Sequence, residues 1–339
     1  MIEEKERILE TKTMTELYDE AYVPRLPVIE DFLYCGTYIY AGAPKIGKSF
    51  FMLQLGYHVS KGIKLWNHKV RKGTVLYLAL EDNYARLQQR LGMMYADEPS
   101  DDLHLNISAG SVKDGLMDEM ESFVKAHPDT CLIIVDTLQK VRESGDDNYS
   151  YSSDYEIIDS FKKFTDVHDL CILIVHHTRK MESTDNFDKI SGTNGLAGAS
   201  DGCFVMAKNK RIEGTATISI CGRDQADQEI TVERDEENCI WKKVKSEKEL
   251  FKGKPDEVLE AIAGFVNRDN PEWHGTATEL IEAVPGLSDM IVPNTLVRRL
   301  NVRRYNLLKD YHIHYESMQR TPDRKEFKLC YDDNDDYLF

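Results

Sequence analysis

Short apolar runs alternate with amphipathic stretches between residues 37 and 243, which predicts an α/β core with a mostly parallel, doubly wound sheet. Three observations carry this. The runs at 37–41, 75–80, 132–135 and 172–175 are almost continuously apolar, as strands buried on both faces are. Stretches with helical spacing separate them, at 48–59, 84–93, 115–126 and 155–167. Beyond residue 203 the pattern changes to short strands at hairpin spacing, at 204–208, 216–221, 229–234 and 240–243, an antiparallel extension of the same sheet.

The remaining segments divide around this core. Residues 1–30 read as a charged leader ending in Pro24, Arg25, Leu26 and Pro27, loosely packed ahead of a core at 31–243. A charged linker follows at 244–254, then a separate small unit at 255–331 and an acidic tail at 332–339. A chain of 339 residues with 41% hydrophobic content is long enough for one large domain and one small one. No apolar run approaches the length of a membrane span, and the first residues are charged, so neither membrane nor secretion is expected. The seven cysteines contain no C-x-x-C pair. Cys131, Cys171, Cys203 and Cys221 lie in apolar runs as small hydrophobes, which fits a reducing cytosol. A net charge of −16 excludes a uniformly basic nucleic-acid-binding surface and leaves room for a local basic face.

The strongest motif is the run Gly42, Ala43, Pro44, Lys45, Ile46, Gly47, Lys48 and Ser49, which matches G-x-x-x-x-G-K-[ST] at every fixed position, between a strand and a helix start. Glycines there let successive backbone N–H groups turn toward phosphate oxygens, and the helix N-terminus adds partial positive charge. Lys48 adds a point charge, and the Ser49 hydroxyl is placed to ligate Mg²⁺. Nucleotide binding is the expectation.

Further strand ends each deliver a polar residue. Asp136 closes the run at 132–135, where a carboxylate holds the Mg²⁺ water shell opposite Ser49. Glu81 and Asp82 close the run at 75–80; Glu81 reads as the carboxylate that positions an attacking water, Asp82 as a helix cap. His176 and His177 close the run at 172–175. A histidine pair invites a metal reading, but a γ-phosphate sensor fits the location better. Arg223, after the strand at 216–221, is either a surface charge or an arginine supplied to a neighbouring subunit's nucleotide. Two polar segments, 142–154 and 181–195, follow core strands at the edge where open α/β sheets bind ligands, and read as mobile loops.

Taken together, the stretches 41–49, 77–82, 132–136, 175–180, 190–201 and 222–224 resemble the RepA-like plasmid replicative helicases of the RecA/DnaB branch of P-loop ATPases. The resemblance covers about residues 30–243. It implies a RecA-like fold and ATP hydrolysis with Mg²⁺, with the ATP site shared between subunits of a ring, most often a hexamer. It further implies Lys48 and Ser49 on phosphate and metal, Glu81 as catalytic carboxylate, Asp136 as the metal-side carboxylate, His177 as sensor and Arg223 as finger. The two polar segments would face a channel carrying DNA. Glu143, Asp146 and Asp147 make the first of them acidic, against that expectation.

The unit at 255–331 reads as three helices, at 255–266, 276–284 and 293–309, then a hairpin of 311–317 and 326–331. That is the winged-helix layout, and the second and third helices would form a helix-turn-helix. The third carries Arg298, Arg299, Arg303 and Arg304, and residues 288–328 hold nine Lys/Arg against five Asp/Glu. DNA docking by this helix is expected, single-stranded or duplex; winged helices also dock proteins. The resulting expectation is a cytosolic, Mg²⁺-dependent ATPase acting on DNA, in sharpest form a ring helicase of a plasmid or integrative element. A recombination or repair ATPase of the same fold and an ATP-switched DNA-binding regulator are the rival readings.

Overall fold

The structure, a computed structural model, describes residues 9–142, 151–178, 187, 190, 194–208, 214–223, 225–248, 255–318 and 325–332. The chain separates into two units: residues 25–251, and residues 1–24 together with 252–338.

The larger unit begins with β1 (Gly36–Gly42). It is followed by α1 (Lys48–Lys61), β2 (Thr74–Ala79), α2 (Tyr84–Tyr95), β3 (Leu103–Asn106), α3 (Met117–Ala126), β4 (Thr130–Asp136), α4 (Leu138–Val141), α5 (Tyr151–Val167) and β5 (Cys171–His177). Then come α6 (Asn194–Ala199), β6 (Gly202–Ala207), β7 (Thr215–Gly222), β8 (Gln225–Arg234) and β9 (Trp241–Lys248). The strands form one nine-stranded sheet in the order β3-β2-β4-β5-β1-β6-β7-β8-β9. β3 through β6 in that order are parallel, and β6 to β9 are antiparallel.

Period-two alternation sends β1 side chains to two cores. Tyr38 and Tyr40 join one with Phe51 and Trp241, while Ile39 and Ala41 join the other with Ile158 and Phe161. Burial on both faces is why these strands read as continuous apolar runs. β3 escapes the sequence reading because it is four residues long, half-buried and at the sheet edge. The charged stretch expected as linker from 244 is strand as far as Lys248, pairing with Gln228. As the outer edge of the sheet, β9 keeps charged residues in water, so its composition mimics a linker. Residues 249–254 lie outside the described residues.

The smaller unit contains α7 (Met14–Asp19), α8 (Glu257–Phe265), β10 (Glu272–Thr276), α9 (Ala277–Ala283), α10 (Leu287–Met290), α11 (Pro293–Val302), α12 (Arg304–Tyr311), β11 (Ile313–Ser317) and β12 (Glu326–Tyr331). Its strands form a separate antiparallel sheet in the order β10-β12-β11. Leu259, Ile262, Leu280, Leu296, Leu300, Leu307 and Phe327 fill its core. The leader is divided: its residues up to Pro24 belong to this unit, where Ala21 packs on the core and α7 lies on the surface, whereas Val28 and Ile29 are fully buried in the core of the larger unit rather than loosely packed. The long third helix expected at 293–309 is broken at Arg303 (φ −101°, ψ 17°). Beside the break, buried Asn301 accepts from the Tyr315 hydroxyl at 2.8 Å and donates to the Tyr18 carbonyl at 2.9 Å.

Candidate functional site

A cavity of about 550 Å³ opens at the C-terminal ends of the parallel strands, lined by the loop after β1 and by Ala79, Glu81, Asp136 and His177. Strand register brings these together: Gly42 lies opposite His177, and Ala79 opposite Asp136. Sequence reasoning places each at a strand end, and the sheet gathers those ends.

The loop is tightly fitted. Gly47 has φ +106°, and a Cβ there would stand 2.6 Å from Trp241 Cζ2, so glycine is required for conformation and for space. A Cβ on Gly42 would meet the Met206 carbonyl oxygen at 2.8 Å. Ile46 is buried, whereas Ala43, Pro44 and Lys45 are exposed at the mouth. α1 begins at Lys48 with no side-chain cap on Gly47, leaving the first-turn N–H groups to an anion.

Lys48 donates to the carbonyls of Gly42 (2.7 Å) and Ala43 (3.0 Å), and its Nζ lies 3.2 Å from His177 Nδ1. Burial pushes its ammonium pKa down to about 8, against the opposing pull of Asp136 and Glu81. Asp136 Oδ2 accepts from Ser49 Oγ at 2.9 Å and from the Tyr77 hydroxyl at 2.8 Å. Burial raises the Asp136 pKa, and those two hydrogen bonds oppose the rise. Tyr77, fully buried on β2, has its phenol pushed well above the ordinary range by desolvation. Glu81 Oε1 accepts from Thr137 Oγ1 at 3.2 Å, and its Oε2 stands 4.0 Å from His177 Nε2.

His176 and His177 are successive strand residues, so they face opposite sides of the sheet. The pair is not arranged as two ligands of one metal; His177 faces Lys48 and Glu81 instead. Asp82 is not the cap of α2. Asn83 holds that position, accepting from Arg86 N–H at 2.9 Å, while the Asp82 carboxylate pairs with Arg86 (3.2 Å) and Arg90 (2.5 Å).

Arg223 does not line this cavity. Gly222 pairs with Gly202, and Gly202 with Tyr38, so Arg223 stands at the N-terminal end of the parallel strands. It donates to the Gly198 carbonyl at 3.1 Å and lies 3.8 Å from Asp201, with its side chain 54% exposed. In the smaller unit, Arg298 pairs with Asp19 (2.7 Å), Arg299 with Asp256 (3.3 Å), and Arg304 donates to the Tyr22 carbonyl at 3.3 Å. Arg303 is exposed at the helix break. Most of the two polar segments at 142–154 and 181–195 lies outside the described residues. The exception of note is Asp154, which is buried on α5 and paired with Arg142 at 2.5 Å rather than held in a loop.

Several lining residues carry no sequence signal. Phe50 sits between the guanidiniums of Arg90 (5.2 Å) and Arg234 (4.4 Å), giving the cavity a cationic rim. Trp241 supports the loop from behind: its Nε1 donates to the Gly47 carbonyl at 3.3 Å, and its backbone exchanges hydrogen bonds with the Gln54 side chain. These depend on β8 and β9 folding back across the sheet, which no local motif announces.

The profile of the AAA domain family (AAA_25) matches residues 5–183, more than half of the chain. No curated protein sequence matches. Among solved structures, the chain is similar to one described as an ATPase domain, with TM-score 0.51, 12% identity, and coverage of 62% of this chain and 85% of that one. It is also similar to a DnaB-like replicative helicase solved with attention to its interactions with primase, with TM-score 0.52 and 13% identity, covering 62% of this chain and 59% of that one. At these identities the likeness establishes the fold alone, an α/β fold built on a large, mostly parallel sheet. No helix among the described residues is long and apolar enough to cross a membrane.

Proposed function

This chain belongs to the AAA domain family, and we propose that it is a Mg²⁺-dependent ATPase acting on DNA, the motor of a ring-forming replicative helicase of a plasmid or integrative element. The observation that carries the ATPase reading is the convergence of Lys48, Ser49, Asp136, Glu81 and His177 on one cavity at the strand ends. The descriptions of the two similar structures, an ATPase domain and a replicative helicase, support the helicase form.

The residues fit a nucleotide–metal complex. Lys48 and the N–H groups opening α1 provide positive potential for a polyphosphate, and Ser49 with Asp136 provides the hydroxyl–carboxylate pair that suits Mg²⁺. When bound, Mg²⁺ neutralises charge on the phosphate oxygens. Tyr77 keeps the Asp136 carboxylate in place, and Thr137 does the same for Glu81. Glu81, 43% exposed at the cavity, is the group that orients a water and takes up its proton. His177 lies between Lys48 and Glu81, where an imidazole senses whether a terminal phosphate is present.

The smaller unit supports the DNA part. Its order of helix, strand, helices and hairpin supports the winged-helix reading, and α11 with the start of α12 carries the arginine cluster that would meet phosphate. Self-association into a hexameric ring is part of the same proposal.

Two substitutions test the assignment. Lys48→Ala should abolish nucleotide binding or turnover, whereas Glu81→Gln should retain binding and lose hydrolysis by roughly 10²–10⁴-fold. Turnover retained in Lys48→Ala, with binding lost in Glu81→Gln, would overturn it. The hydrolysis rate with and without single-stranded DNA, alongside solution mass with a non-hydrolysable nucleotide, tests the motor and the ring.

A further inference from the structure

Two of the four arginines of the smaller unit's cluster, Arg298 and Arg304, already have an occupant. Arg298 presents Nε and an Nη to the two carboxylate oxygens of Asp19, at 2.7 and 3.4 Å, the forked geometry a guanidinium also offers a phosphate. Arg304 donates to the Tyr22 carbonyl at 3.3 Å. Asn301 donates to the Tyr18 carbonyl, and Lys325, just ahead of β12, to the Asp19 carbonyl at 3.1 Å. Three separate parts of the unit thus hold one short segment. That segment is acidic: residues 9–24 carry four carboxylates (Glu10, Glu16, Asp19 and Glu20) and one lysine.

We propose that residues 13–22 form an internal guard over the arginine face of the smaller unit, and that duplex DNA engages Arg298 and Arg304 only by displacing it, an inference resting on the DNA-binding reading above.

The hold has the character of a releasable contact. Every residue of α7 is exposed, and the Arg298–Asp19 pair is 40% and 50% exposed, so the attraction is weak and screened by salt. Ala21 is the segment's member packed on the apolar core. α7 has six residues and depends on its Thr13–Glu16 capping box and on the Lys12–Glu20 ion pair at 2.7 Å. A helix that short does not persist in water by itself, so release and unfolding of the segment coincide. Backbone carbonyls and one carboxylate occupy these donors, where DNA would bring an array of phosphates. A polyanion therefore competes for the same donors with more charge.

The test measures duplex DNA affinity as a function of salt for the full chain, for Asp19→Asn, and for the chain lacking residues 1–22. Asp19→Asn preserves shape and removes the charge, so it remains informative if the truncation fails to fold. Both variants should bind duplex severalfold more tightly, and the slope of log affinity against log salt should steepen by about one for each arginine freed. Hydrogen exchange in residues 13–22 of the unaltered chain should quicken when duplex DNA is added. Unchanged affinity and slope in both variants, while Arg298→Ala weakens DNA binding, would sink the guard and leave the DNA reading standing. If Arg298→Ala and Arg303→Ala also leave affinity unchanged, the DNA reading itself fails, and the guard with it.

Discussion

Lys48 is buried with an ammonium pKa of about 8, which gives nucleotide binding a predictable pH dependence. A bound polyphosphate favours the charged lysine, so the pKa rises on binding. Well below pH 8 the lysine is protonated both free and bound, and it contributes no pH dependence. Above pH 8 the free protein has lost the proton, binding must take one up, and affinity falls by up to about tenfold per pH unit. Titration calorimetry between about pH 7 and 9.5, in buffers of different ionisation enthalpy, should show proton uptake that grows across this window. Affinity flat in pH, with no uptake, would assign the depressed pKa no part in binding. Folding stability of the protein without nucleotide responds in the opposite direction. Between about pH 8 and 10.5 the unfolded chain holds more protons on this lysine than the folded one, so stability from this group rises with pH.

β9 shows how a strand remote in sequence sets the geometry of a loop. Trp241, fully buried, fills the space behind Gly47, and its amide and carbonyl are both tied to the Gln54 side chain on α1. Trp241→Ala should destabilise the larger unit by about 3–5 kcal/mol through the cavity it leaves, and should weaken nucleotide binding, because the loop loses its backing. Trp241→Phe should restore most of the stability while leaving the Gly47 carbonyl without its indole donor. Thermal unfolding with and without nucleotide separates the two effects; Trp241→Ala with unaltered nucleotide stabilisation would show that the loop does not depend on β9. None of this is readable along the chain, because the pairing joins residues almost two hundred positions apart. The four central strands are readable, since burial on both faces leaves a continuous apolar signature in β1, β2, β4 and β5. Lys48, lying in the phosphate-loop motif, is legible from its spacing, and Glu81, Asp136 and His177 are legible as polar residues that end apolar runs. Tyr77 and Thr137 are not, because a tyrosine within an apolar run looks like core until its hydroxyl is seen on Asp136. In the smaller unit, β10 escapes the sequence because it answers to its partner strand β12 rather than to local preference.

The position of Arg223 decides what the proposed shared site requires. From Tyr38, level with Gly202 and Gly222, to Gly42 at the phosphate loop is four residues of β1, about 13 Å at the rise of a strand. The Arg223 guanidinium moreover turns to Gly198 and Asp201, so it does not serve the cavity of its own chain in this conformation. If it takes part in hydrolysis, it does so in a neighbouring subunit, and the active species must be an assembly with head-to-tail interfaces. Lys48→Ala and Arg223→Ala should then each be inactive alone and complement when mixed. In an equal, random mixture, half the subunits keep Lys48 and half of their neighbours keep Arg223, so about a quarter of the interfaces are intact. Hydrolysis should recover toward that fraction if interfaces act independently, and less if the ring requires several at once. The mixing must follow dissociation and reassembly, with solution mass recorded before and after. A fully active monomer with nucleotide bound would refute the shared site. So would a mixture no more active than its separate components, given that the two variants demonstrably co-assemble.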